Sequence, residues 1–181
     1  MDNRKKFKKH AFSFLLFLMI TGVVLVLIQF ANWLPLTLQK ETLRRYSSLE
    51  EVKASLPALR IYVPTYFPQT ISWPPEHLFA QNRPFPWILM KFNHRDSSEE
   101  ALIITQSLSG RLPGQMPGEF KEVTEKVPYE LRGRQAILEV GVCRNGEQCS
   151  RIDWREGEYQ LTVFMTAAPF DLIKIAESML H

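Results

Sequence analysis

From Ala11 to Phe30 the chain runs AFSFLLFLMITGVVLVLIQF without a charged residue, and only Ser13, Thr21 and Gln29 are polar. Twenty helical residues rise about 30 Å, the thickness of a bilayer's hydrocarbon core. The pattern predicts a membrane-spanning signal anchor over residues 11–36, with Trp33 at interface depth. A cleaved signal would have a shorter apolar run ending in a small-x-small site, which is missing here. Residues 37–46 carry Lys40, Glu41, Arg44 and Arg45 and read as a juxtamembrane linker.

Beyond the linker, residues 47–181 predict one domain. Ser48 with Glu51 three residues later has capping-box spacing and opens a short helix over Leu49–Leu56, which Pro57 ends. Seven of the 12 prolines fall between Pro57 and Pro86, which limits that stretch to one short strand, Leu59–Val63, and an extended loop packed with aromatics. After it the apolar positions turn to β periodicity. Trp87–His94 and Ala101–Leu108 form a hairpin around the polar cluster Arg95–Glu100. A Gly/Pro loop, Ser109–Gly118, precedes strands Phe120–Val127, Arg134–Val142, Arg151–Glu156 and Tyr159–Met165. Pro169 opens a closing helix to Leu180, with Phe170, Ile173, Ala176, Met179 and Leu180 as the face expected to dock on the sheet. Strands grouped together with helices at both ends give an α+β fold with a mainly antiparallel sheet.

Charge fixes orientation. The chain has 22 Lys and Arg against 19 Asp and Glu, a net charge of +3. Arg4, Lys5, Lys6, Lys8 and Lys9 stand in the first ten residues with Asp2 alone, leaving the body nearly neutral. A basic run before the first span is retained in the cytoplasm, so the expectation is a single-pass protein of the inner (cytoplasmic) membrane with residues 1–10 inside and the domain outside. Its first partner is then the lipid bilayer. A nucleic-acid partner is excluded, since no basic face accompanies the folded part.

The only cysteines, Cys143 and Cys149, bracket Arg144-Asn145-Gly146-Glu147-Gln148. In an oxidising compartment the pair reads as a structural disulfide closing a five-residue hairpin loop, with the two cysteines opposite each other. A metal site would need further ligands, and a redox-active pair usually has two-residue spacing.

Catalytic chemistry has little to draw on. The four histidines are His10, His77, His94 and His181, and no nucleophile elbow, metalloprotease or phosphate-loop motif occurs. His94 with Asp96 belongs to a predicted hairpin tip. Asp153, Glu156 and Glu158 alternate with Arg151 and Arg155 as a self-compensating face. No catalytic, metal or cofactor site is expected, and the chain reads as a non-enzyme. The candidate interaction surface is the aromatic set Tyr66, Phe67, Trp73, Phe79, Phe85 and Trp87.

Four pieces, the Ser48 helix start, Leu59-Arg-Ile-Tyr-Val-Pro-Thr-Tyr-Phe-Pro68, Ile152-Asp-Trp-Arg-Glu-Gly-Glu-Tyr159 and Leu172-Ile-Lys-Ile-Ala-Glu-Ser-Met179, together resemble a bacterial domain family of unknown function. That family forms the extracytoplasmic C-terminal part of membrane proteins, including sigma-factor regulators. The resemblance spans about Tyr46–His181 and implies a small sensory or interaction domain with no catalytic residues to carry over. Ten residues before the span leave little with which to grip a sigma factor. The functional expectation is a membrane-anchored binding or regulatory module with a protein partner in the envelope. Alternatives are a structural accessory subunit of a membrane complex and a carrier of a lipid or lipoprotein chain.

Overall fold

The computed structural model describes residues 19–26, 28–29, 43–57, 59–83, 85–108 and 119–180. The chain divides into two units, Met1–Thr42 and Leu43–His181. In the first, residues 19–26 and 28–29 are helical and exposed. Among the described residues no helix is long and apolar enough to cross a membrane, and most of the expected span over 11–36 lies outside them.

Among its described residues the second unit is an eight-stranded antiparallel sheet with two helices. Its elements are β1 (Arg44–Tyr46), α1 (Leu49–Ser55), β2 (His77–Gln81), β3 (Trp87–Asn93), β4 (Glu100–Leu108), β5 (Phe120–Leu131), β6 (Arg134–Cys143), β7 (Gln148–Glu156), β8 (Tyr159–Met165) and α2 (Pro169–Ser178). The strand order is β1-β2-β3-β4-β8-β7-β6-β5. Two four-strand meanders therefore meet at the β4–β8 pair in the middle.

The mainly antiparallel α+β expectation holds, with local corrections. β1 lies in residues assigned to the linker, and β2 lies in the proline-dense stretch read as loop. Leu59–Val63 is not a strand. Its backbone is extended, and it is held by side chains instead: Gln106 on β4 bonds both backbone groups of Tyr62, and Tyr159 Oη accepts the Arg60 N–H at 3.0 Å. α1 is capped as its sequence specifies, Ser48 Oγ accepting from Glu51 N at 3.2 Å. The return bond from Glu51 goes one residue further back, to Ser47 N and Oγ.

Both faces of the sheet are buried. The front face carries Leu78, Ile88, Met90, Phe92, Leu102, Ile104, Ile152, Trp154, Leu161 and Val163, and packs with α1, α2 and the 56–71 loop into one core. The docking face of α2 is Leu172, Ile175 and Ala176, followed by Met179 and Leu180. Phe170, expected on that face, is 76% exposed. Apolar residues on two sides of a short helix let the three- and four-residue spacing start from the wrong one.

On the back face a second cluster gathers Trp87, Leu89, Ile103, Phe164, Cys143 and Cys149, with Phe79, Phe85 and Phe120 partly buried against it. β5 bends over this face through bulges between Phe120 and Glu122 and between Val123 and Glu125. Gly141 makes the bend possible: a Cβ there would lie 2.1 Å from Glu122 O and 2.9 Å from Phe120 Cδ1. At the outer edge, β5 admits Pro128, where a missing N–H breaks no ladder bond, and presents Lys121, Glu122, Glu125, Lys126 and Glu130, charges that discourage edge-to-edge pairing.

Candidate functional site

The six candidate aromatics separate onto the two sides of the sheet. Trp87, on β3, is buried on the back face with Phe79 and Phe85 beside it. A Trp on a central strand of a sheet covered on both faces is core, whichever side it takes. Tyr66, Phe67 and Trp73 belong to the loop that covers the front face. Phe67 packs half-buried between Trp73, with ring centroids 5.0 Å apart, and core Phe92, at 5.3 Å. Trp73 stacks on Phe92 at 6.0 Å and 22°, precedes a cis peptide to Pro74, and leaves 50% of its surface open.

Tyr66 joins the loop to α2. Its hydroxyl donates to Asp171 Oδ1 at 3.3 Å, the Lys174 ammonium stands 5.9 Å from its ring centroid, and Lys174 also reaches Asp171 at 3.4 Å. At the other end of the helix Ser178 Oγ accepts the N–H groups of Thr65 and Tyr66, each at 3.2 Å, while donating to Ile175 O at 2.7 Å. Two of the motif pieces, the 59–68 segment and the 172–179 helix, thus bond to each other. The loop is fixed along the helix, with Tyr66 (37% exposed) and Trp73 presented outward and Phe170 exposed in the first turn of α2. Phe170, next in the chain to Tyr66's partner Asp171, is an exposed aromatic that helical spacing alone assigns inward.

A charged row crosses the back face at β5–β6–β7. Glu139 is almost fully buried and pairs with Lys126 at 2.8 Å and Arg151 at 2.5 Å. Burial pushes its carboxyl up, but the two cations outweigh burial and hold it below the ordinary glutamate range. Arg151 also meets Asp153 at 3.1 Å, and Thr162 Oγ1 donates to Asp153. Here burial wins and the Asp153 carboxyl is pushed up. Glu156 makes a two-pronged pair with Arg134, at 2.9 and 3.0 Å, which holds its carboxyl low. Of the acidic residues around Gly157, Asp153 pairs with the alternating Arg151, whereas Glu156 pairs with Arg134 of β6 and Arg155 bonds Gln160 instead, so the alternation accounts for one pair only. Among the described residues no three His, Cys, Asp or Glu come together as a metal-ligand set. His94 forms an isolated bridge with Ile71 and opens the turn over residues 95–99 that contains Asp96.

The cysteine hairpin is tighter than expected. Cys143 N donates to Glu147 O at 2.8 Å and Gly146 N to Cys143 O at 3.0 Å, so the loop is the three residues Arg144–Gly146 and not five. Gly146 at φ 88° takes the left-handed position that such a loop requires, and Asn145 Oδ1 accepts Glu147 N at 3.1 Å. Cys149 consequently pairs with Gly141, and the two cysteines stand diagonally on one face, not directly opposite. Both are buried free thiols.

The chain matches no protein-family model, no curated protein and no solved structure.

Proposed function

We propose that this chain is a single-pass, bacterial-type membrane protein, anchored by the segment 11–36 with its N-terminus in the cytoplasm, whose outer domain is a binding or sensory module for a protein partner in the envelope. The observation that carries the anchor is the helix at residues 19–26 and 28–29. Val23, Val24, Leu25 and Val26 turn through a full circumference, and each is about half exposed or more. A helix apolar all round has no polar face to give to water and suits lipid. The five basic residues before it supply the orientation.

The surface offered to a partner is Tyr66 and Trp73 with the first turn of α2. Large amphipathic rings held in place, Trp73 by Phe67 and Phe92 and Tyr66 by Asp171, lose little conformational freedom on binding, as interface anchors do. Trp73 and Phe170 exposed on a rigid support also favour a second reading, an accessory subunit seated permanently against a neighbour.

The test combines alkaline extraction of native membranes, protease treatment of spheroplasts, and a photo-crosslinking amino acid placed at Trp73 or Phe170, with Val123 on the outer strand edge as control. Retention in the membrane, cleavage of the outer domain and a partner crosslinked from 73 or 170 but not from 123 are expected. A stoichiometric complex that survives purification selects the accessory subunit, and identical crosslinks from all three positions overturn the assigned surface.

A further inference from the structure

We infer that Cys143 and Cys149 are joined as an intramolecular disulfide in the native protein, a bridge across the open end of the β6–β7 hairpin that forms before the back face closes over it. The inference rests on the extracytoplasmic placement proposed above, because the cytoplasm keeps such thiols reduced.

Three observations carry it. The register Gly141↔Cys149 and Val142↔Gln148 sets the two cysteines diagonally on the same face, and both enter the same buried apolar cluster. Diagonal positions stand about 7–8 Å apart at Cα, so bringing the sulfurs to about 2.0 Å draws the open end of the hairpin together by about an ångström. The hairpin itself brings them together: Asn145 and Gly146 shape the turn locally, so the two thiols meet before any long-range packing. Finally, both sulfurs end in the apolar cluster, Cys149 at 0% exposure, with Phe120 packed on Phe164 at 5.7 Å and the Arg151 guanidinium 5.6 Å from the Phe120 ring centroid.

That burial sets the order of events. In the folded domain desolvation pushes the Cys149 thiol up to about 12 and Cys143 upward as well, so neither supplies thiolate for exchange. In the unfolded or opening hairpin one thiolate attacks the disulfide of a donor oxidoreductase, breaking the donor's S–S bond and leaving a mixed disulfide. The second thiolate then displaces the donor sulfur. The two electrons and, in net, the two thiol protons pass to the donor, which leaves as its dithiol. Once packed, the bridge is as shielded as the thiols were.

The experiment uses the full chain in its membrane. Cells are quenched in acid, and the protein is denatured and treated with a maleimide polymer, with and without prior reduction. Parallel spheroplasts are treated with protease. The expected result is no gel shift before reduction, two additions after it, a monomer on a non-reducing gel, and reduction by dithiothreitol only once denaturant has opened the domain. Two additions without reduction overturn the bridge. A domain cut by protease then leaves the topology standing, whereas a spared domain brings the topology down too. A disulfide-linked dimer also overturns it. As a second readout, C143S/C149S should unfold several degrees below the oxidised protein and together with the reduced protein. Equal midpoints for all three would show that no bridge had formed.

Discussion

The Gln106 side-chain amide closes a two-bond ring with the backbone of Tyr62, donating from Nε2 to Tyr62 O at 2.5 Å and accepting Tyr62 N–H at Oε1 at 3.0 Å. Gln106 is fully buried on β4, and its amide takes the place that a neighbouring strand's backbone would occupy. It is the reason the 59–63 segment can lie over the front face as extended chain without strand pairing. Tyr159 reinforces the attachment from β8, its ring edge-on to Tyr62 at 5.5 Å.

Replacing Gln106 with Leu keeps the volume but leaves a buried N–H and a buried C=O unpaired. Each such group costs about 1–3 kcal/mol, so Q106L should lose about 2–6 kcal/mol in denaturant unfolding. Q106E turns an oxygen onto Tyr62 O and buries a carboxylate, so at pH 7 it should cost at least as much as Q106L. A loss under 1 kcal/mol for Q106L would mean that the ring does not hold the loop.

Two of the candidate aromatics should behave oppositely. Trp87 is core, and W87A should cost about 3–5 kcal/mol, the usual range for emptying a buried aromatic site. Trp73 is half exposed, and W73A should cost about 1 kcal/mol from lost stacking on Phe67 and Phe92, while abolishing the partner crosslink. Unfolding curves and crosslink yield, measured on both variants, check the division. Equal destabilisation would place Trp73 in the core as well.

The sequence showed most of the strands because their apolar runs are bounded by unmistakable turns: Tyr159–Met165 agrees to the residue, and the β3–β4 hairpin follows its polar cluster. β2 was hidden by Pro74, Pro75, Pro84 and Pro86, which flank the strand without interrupting its ladder. Leu59–Val63 has the alternation of a strand, but its partner is a side chain, which no periodicity announces. The interaction surface was only half legible. With both faces of the sheet apolar, hydrophobicity says that Trp87 and Trp73 are packed against something, not that one lies beneath the sheet and the other stands half open on Phe67 and Phe92.

The back-face charges predict a pH signature with two opposed parts. Glu139 has its carboxyl held low, so its contribution is fully present above the unfolded-chain value, about pH 4, and is lost as pH falls through the lower folded value. E139Q should therefore destabilise by about 1–2 kcal/mol at pH 7, with the difference from wild type vanishing in strong acid. Asp153 is held high, so its ionised form is a burden that sets in as pH rises through the folded value. D153N should be neutral or stabilising at pH 7 and converge on wild type at low pH. Unfolding free energies of both variants between pH 2 and pH 7 check the signs. A D153N loss that grows with pH would show that the Arg151 pair, rather than burial, governs Asp153.

Gly141 should be the least replaceable glycine of the β6–β7 region. A methyl group there meets backbone at Glu122 O and Val123 Cα as well as the Phe120 ring, and backbone at that distance cannot turn aside as a side chain can. G141A must therefore lift the first turn of β5 off the back face, taking Phe120 away from Phe164 and uncovering the cysteines. Overpacking of this kind costs about 3 kcal/mol. Gly146 is the control, since a Cβ added there meets nothing within 4 Å, and G146A should cost only the about 1 kcal/mol of a left-handed non-glycine residue. The two variants also differ in chemistry. In G141A the Cys143–Cys149 pair should become reducible by dithiothreitol without denaturant, whereas in G146A it should stay protected. Protection in both would mean that Phe120 is not what covers the pair.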